Sequence, residues 1–146
     1  MTNQEIARIF EKTAFFLALK DDNEFKINAY AKAAKSIHDY PSSVEDMLLA
    51  GEDLTGIDGV GKILAQKIEE LIVIGSLKVL NELLAEFPES LYEMSQIRGI
   101  GPKTILKLYQ AHRIHSLHEL QQFLQSGEKL ALPATYECRI KEFFRK

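Results

Sequence analysis

The sequence predicts an all-α fold of two small helical units, and three observations carry that reading. Apolar residues recur at helical spacing through most of the 146 positions. No run alternates apolar and polar residues as a half-buried strand would, and no Asn-Gly hairpin signal occurs. A Gly-apolar-Gly turn is written twice, at Gly59-Val60-Gly61 and at Gly99-Ile100-Gly101, each time just ahead of a helical pattern.

The elements follow in order. Thr2 with Glu5 forms a capping box, after which Ile6, Ile9, Phe10 and Leu17 fall at helical spacing. In "FKINAYAKAAKSIHDYP", Ile27, Tyr30, Ala34 and Ile37 share one stripe, with Lys32 and Lys35 off it, and Pro41 ends the helix. Ser42 with Glu45 reads as a second capping box, closed by Gly51. Beyond the first Gly-Val-Gly turn, Leu64, Ile68, Leu71 and Ile72 make another stripe that stops at Gly75. "SLKVLNELLAEFP" is a further helix ending before Pro88. The pattern then restarts with "ESLYEMSQI", the second turn, "PKTILKLYQA", and a helix capped by Ser116 and Glu119. These signals divide the chain into residues 1–87 and 88–146, with Phe87 to Ser90 as the junction.

Composition narrows the class. Apolar residues make up 46% and charged residues 27%, ordinary values for a globular chain and too apolar for disorder. One cysteine, Cys138, excludes an internal disulfide framework and cannot alone build a zinc-thiolate site. The uncharged apolar run Thr13 to Leu19 is far too short for a bilayer, and Glu5 and Glu11 stand where a secretory signal carries basic residues. A cytoplasmic (nucleoid) or nuclear protein is expected, neither secreted nor membrane-bound. The net charge of −3 hides an asymmetry: residues 1–86 carry 9 Lys+Arg against 15 Asp+Glu, whereas residues 87–146 carry 9 against 6. A polyanion would therefore be met by local groups and not by a general positive field.

The doubled turn supplies such groups. Glycine on both sides of Val60 and of Ile100 permits backbone angles and close approach that a side chain obstructs. A helix begins at once, with Pro102 suited to its first turn. Unpaired N–H groups at a helix N-terminus beside bare glycine backbone form an anion site. A phosphate fits there without any base being read. A single Gly-x-Gly ahead of a helix is usually a tight turn and nothing more. Two copies with apolar residues at matched later positions (Ile68 with Leu108, and Leu64 with Leu106 nearly so) are harder to ascribe to accident. Both copies match the helix-hairpin-helix motif of DNA-binding proteins, so sequence-independent DNA binding is expected.

Taken together, "NAYAKAAKSIHDYP", "IDGVGKILAQKI" and "IRGIGPKTILKLY" resemble, in order and spacing, the N-terminal third of family X DNA polymerases, the DNA polymerase beta group. The resemblance runs from Ile6 to about Gly127. It implies a first unit that acts as a lyase on the 5′-deoxyribose phosphate at a DNA gap, as in base excision repair, and a second unit that holds the flanking duplex. The expected partners are gapped or nicked duplex DNA with its 5′-phosphate, together with other repair proteins. The family's polymerising carboxylates lie in a later palm domain that this chain does not reach, so no polymerisation by it is expected. The family's Schiff-base lysine falls on Lys67, and its pocket lysine and tyrosine on Lys26 and Tyr30. The chain departs from the beta enzyme at Phe25, where a histidine is usual, and at Thr55 and Ile63, where lysines are usual, with Lys62 adjacent. The lyase chemistry needs no cofactor. The family's hairpins also bind a monovalent cation (K or Na) through backbone carbonyls, which by position are those of Thr55, Ile57 and Val60, then Ser95, Ile97 and Ile100. "LPATYECRI" (Leu132 to Ile140) lacks the glycines of a third such turn.

On the residues' own merits, Lys67 sits at the edge of the apolar stripe that includes Leu71. Partial burial there favours the neutral amine that imine formation requires, and Glu70, close by, opposes it. Arg98, Lys103 and Lys107 cluster at the second turn and, with Gly59, Gly61, Lys62, Gly99 and Gly101, are the phosphate-binding candidates. Lys32 and Lys35 read most simply as a solvated face, with steering of DNA as the alternative. His112, His115 and His118 straddle a helix break and read as loop histidines, with no acidic or thiol ligand to complete a metal set. Three functions remain open: a repair lyase, a non-catalytic helix-hairpin-helix DNA-binding module, and a protein-binding adaptor. Lys67 separates the first from the second, and the four hairpin glycines separate both from the third.

Overall fold

Eight α-helices and two 3-10 segments, with no strand, make up the regular structure of residues 1–145, which the computed structural model of the chain describes. The all-α expectation holds. The chain divides into two compact units, Met1–Ala85 and a second from Glu86 onward. No helix among the described residues is long and apolar enough to cross a membrane.

In the first unit, α1 (Asn3–Leu19) starts where the Thr2 hydroxyl accepts the Glu5 N–H, as the capping box requires. It turns Ile6, Phe10, Phe16 and Leu17 fully inward. Each such side chain contributes about 1.5–3 kcal/mol of burial. α2 (Glu24–His38) packs along α1, with Tyr30 set edge-on to Phe10 at 5.4 Å between centroids. Asn23 caps α2 by accepting N–H bonds from Phe25 and Lys26. The short α3 (Val44–Leu49) is capped by Ser43, whose hydroxyl accepts the Asp46 N–H at 3.2 Å, and not by Ser42 as the sequence suggested. Tertiary anchoring sets the register. Asn3 of α1 donates to the carbonyls of Tyr40 and Ser42 and accepts the Val44 N–H, which leaves Ser43 at the cap position. A 3-10 turn (Leu54–Gly56), then α4 (Lys62–Ile74) and α5 (Lys78–Glu86) complete the unit. Gly75 ends α4 in the left-handed conformation.

The second unit opens with eight residues of 3-10 helix, Glu89–Gln96, where the sequence led us to expect an ordinary helical segment. Leu91, Met94 and Ile97 are all fully buried, and their spacing of three matches the three residues per turn of this helix. α6 (Pro102–His112) follows the second glycine turn, then α7 (Leu117–Gln125) and α8 (Ala134–Arg145). The expected cap of α7 forms in half: Ser116 accepts the Glu119 N–H, while the Glu119 carboxylate accepts the N–H of His115, one residue before the cap, and not that of Ser116. The Ser90 hydroxyl donates to the His115 carbonyl, which ties the start of the unit to the start of α7. Of the paired apolar positions, Leu106 is only half-buried. Ile105, in the register of Ala65, fills the core instead, and Leu108 is buried as the expected counterpart of Ile68.

Candidate functional site

The two glycine turns follow one backbone path. In the first, the Ile57 N–H donates to Leu54, Val60 to Ile57 (3.0 Å) and Ala65 to Gly61 (2.9 Å). In the second, Ile97 donates to Met94, Ile100 to Ile97 (3.5 Å) and Ile105 to Gly101 (3.0 Å). Leu54, Ile57 and Val60 are buried in one unit, and Met94, Ile97 and Ile100 in the other. Apolar pegs thus pin each turn to its own core while the glycines stay toward the surface.

The two glycines of a pair have different jobs. Gly59 (φ +78°) and Gly99 (φ +92°) occupy the left-handed region, which disfavours a side chain. Gly61 and Gly101 are extended, with φ of −87° and −116°, conformations open to any residue. A Cβ on either would meet nothing within 4 Å. The sequence reading assigned special backbone angles to both glycines of each turn, and the structure limits that need to the first. The second of each pair is bare without any demand from the fold.

Those second glycines are also the N-caps of α4 and α6, and neither helix has a side-chain capping bond. Thr2, Asn23, Ser43 and Ser116 do cap α1, α2, α3 and α7. The first-turn amides of the two hairpin helices therefore face outward without a side-chain acceptor, at the positive end of each helix.

A long basic side chain from a separate helix lies across the first glycine of each turn. In the first unit it is Lys32 of α2, whose Cγ is 3.0 Å from where a Gly59 Cβ would stand, with its ammonium 3.7 Å from Asp58. In the second it is Arg139 of α8, whose Cδ is 2.5 Å from the corresponding Gly99 position and whose Nη1 donates to the Gly99 carbonyl at 2.7 Å. Sequence reasoning left Lys32 as a solvated face and did not single out Arg139. No local pattern could have revealed a contact that spans 40 residues.

Lys67 is partly buried on α4, its Nζ 3.7 Å from Oε1 of Glu70. Tyr30 is 2% exposed. Burial, then the charge of Glu70, pushes its phenol up to about 12. Glu70 thus lies beside both Lys67 and Tyr30. Lys26, on the first turn of α2, has its ammonium 4.0 Å from Asp22. Lys62 is exposed at the start of α4, and its charge helps hold the Asp53 carboxyl below its usual range, after the larger effect of the two hydrogen bonds from Thr55. The apolar departures Phe25 and Ile63 stand in solvent at 87% and 71% exposure, so they are not core replacements for the basic residues usual there. Arg98, Lys103 and Lys107 are exposed around the second turn, the two lysines one turn apart on α6.

The carbonyls of Ile57 and Ile97 each accept one turn hydrogen bond. A second lone pair remains on each oxygen, so both are compatible with a cation ligand. Two of the three histidines have structural partners: His112 accepts the Ala131 N–H and lies against Phe123, while His115 faces Glu119. Among the described residues, no group of three or more His, Cys, Asp or Glu side chains could hold a metal ion.

Comparison with known proteins agrees with this geometry. The helix-hairpin-helix domain model matches residues 1–77, and a SAM-like helix-hairpin-helix tandem model matches residues 91–131. The chain is 33% identical over 122 residues to DNA polymerase/3′-5′ exonuclease PolX of Bacillus subtilis, a match that covers 84% of this chain and 21% of the relative. It is 30% identical over 135 residues to DNA polymerase lambda of Arabidopsis thaliana, covering 89% of this chain and 24% of that protein. The resemblance to family X DNA polymerases thus extends over most of the chain, while the chain spans only about a fifth to a quarter of the length of these relatives.

Proposed function

The chain belongs to the helix-hairpin-helix domain family, and on that premise we propose that it binds the backbone of gapped or nicked duplex DNA in repair and removes a 5′-deoxyribose phosphate through a lysine imine. The observation that carries the binding reading is the repeated pairing of an extended, sterically open glycine with an uncapped helix start. A phosphate oxygen approaches Gly61 or Gly101 where a Cβ would otherwise intrude, and it accepts the first-turn amides of α4 or α6. No base edge is involved, so binding is independent of sequence. Arg98, Lys103 and Lys107 add charge at the second turn. A monovalent cation held by the carbonyls of Thr55, Ile57 and Val60, or of Ser95, Ile97 and Ile100, would add positive charge beside the phosphate.

The lyase step follows from Lys67. Its neutral amine adds to the C1′ aldehyde of the ring-opened sugar, and loss of water gives an imine, which is cationic when protonated. The iminium acidifies C2′. Removal of that proton drives β-elimination, which breaks the C3′–O bond and releases the 3′ phosphate with its DNA strand. Water then hydrolyses the imine and regenerates the amine. Lys26 and Lys62 are the candidates to grip the 5′-phosphate, and Tyr30, buried against Phe10 as a neutral phenol, supports the helix that carries Lys26 instead of meeting the phosphate itself. Holding the sugar against Lys67 makes the condensation effectively intramolecular.

Borohydride reduction of the protein with abasic-site DNA tests the proposal. Wild type should give a covalent adduct, and Lys67→Ala should lose most of it while still binding gapped DNA with a log–log salt slope of about −2 to −4. Equal trapping by the mutant would place the nucleophile elsewhere. Binding without trapping by either protein would leave a non-catalytic DNA-binding module. No salt-dependent binding by either would favour the adaptor.

A further inference from the structure

We propose that Arg139 of α8 is a DNA-backbone contact that completes the phosphate site of the second hairpin. The inference rests on the DNA-binding reading above and adds to it a residue from outside the hairpin.

The placement of Arg139 is specific. Its Nη1 donates to the Gly99 carbonyl at 2.7 Å, and its guanidinium carbon lies 5.3 Å from the ring centroid of Tyr136, one turn back on the same helix. The side chain occupies the space that a Cβ at Gly99 would need, with Cδ at 2.5 Å and Nε at 2.9 Å from that point. Gly99 is therefore both a left-handed turn residue and the slot through which α8 delivers a cation to the turn. The residue is exposed; on α8, Glu137 is paired with Lys141 at 3.2 Å, and Glu142 stands about one turn on from Arg139.

Electrostatics makes this arrangement hard to explain by folding alone. Gly99 lies two residues before the N-cap of α6, so the guanidinium is fixed near the positive end of that helix, where cations are disfavoured. An anion at the α6 terminus turns the repulsion into a shared attraction. A guanidinium has five donors in a fixed plane, and the bond to Gly99 uses one. The rest suit the oxygens of a phosphodiester, which Arg binds in bidentate fashion. The first hairpin supports the reading independently, since Lys32 lies across Gly59 from α2, a helix that precedes its turn, whereas α8 follows its own. The two units reach one arrangement through different helices and different residues.

The test is the salt dependence of binding by the full chain to a 5′-phosphorylated gapped duplex, for wild type, Arg139→Gln and Arg139→Lys. Glutamine keeps a donor for the Gly99 carbonyl and removes the charge. It should weaken binding and make the log–log salt slope shallower by about 0.9, the contribution of one neutralised phosphate. Lysine should preserve the slope while binding severalfold more weakly, because it lacks the planar fork. Thermal unfolding of Arg139→Gln should not shift downward. A wild-type slope in Arg139→Gln, or an equal loss of slope in Arg139→Lys, would overturn the proposal and leave Arg139 as a latch on Gly99 while the DNA-binding reading stood. Absence of salt-dependent binding by the wild type would remove both.

Discussion

Glu70 grips Lys67 with one carboxylate oxygen and the start of α5 with the other: Oε1 lies 3.7 Å from the Lys67 ammonium, and Oε2 accepts the Lys78 N–H at 2.7 Å. The carboxylate is thereby fixed by backbone and held against the candidate nucleophile. The contact holds the Lys67 nitrogen against Glu70, and it must be released before that nitrogen can reach an aldehyde.

Glu70→Gln should weaken that hold and therefore speed imine capture, by severalfold in the initial rate of borohydride trapping. Glutamine retains an oxygen for the Lys78 N–H, so the fold is expected to survive. Slower trapping by the variant would mean that Glu70 assists the reaction, for instance as the base that removes the C2′ proton.

The two glycines of a hairpin should separate stability from binding. Gly59→Ala forces a side chain into the left-handed region and should cost about 1–2 kcal/mol in denaturant unfolding. Gly61→Ala places a Cβ in open space at an ordinary φ, so the gain from a stiffer unfolded chain offsets the poorer N-cap and stability should change little. The same methyl group should obstruct phosphate approach and weaken DNA binding. In the second unit, a bulky residue at Gly101 should reduce affinity more than Lys103→Ala does, since the donors there are backbone groups. Unfolding data in which Gly61→Ala is destabilised as much as Gly59→Ala would contradict the assigned division of labour.

Tyr30 gives the fold a defined alkaline sensitivity. Its phenol is raised from 10 to about 12 by burial and by Glu70, so between those pH values the unfolded chain releases a proton that the folded chain keeps. Stability conferred by the neutral phenol is full below pH 10, declines as pH rises, and levels off above about 12. The raised pKa is worth at most about 3 kcal/mol, less whatever solvent near the hydroxyl screens. Tyr30→Phe should remove this component, read as a shallower decline of unfolding free energy across that window than in wild type. Identical pH profiles would mean that the buried phenol is not the titrating group. Activity near neutral pH should show no Tyr30 ionisation.

The sequence by itself determined the all-α class, the two turns and the resemblance to the family X polymerases, because each is local: helical periodicity, capping boxes and Gly-apolar-Gly are all written within a few residues. The apolar pegs at Val60 and Ile100 were legible for the same reason. Tertiary structure alone decided the rest. Asn3 moved the cap of α3 from Ser42 to Ser43 by bonds that reach 37 to 41 residues along the chain. Core packing chose Ile105 over Leu106. Backbone angles, which composition cannot encode, split each glycine pair into a strained turn residue and an open approach. Lys32 read as a solvated face in sequence, and Arg139 drew no reading at all, because a helix pattern says only that a side chain faces outward. Folding brings α2 and α8 across their respective hairpins, and it is that distant apposition which turns two exposed cations into neighbours of the hairpin glycines.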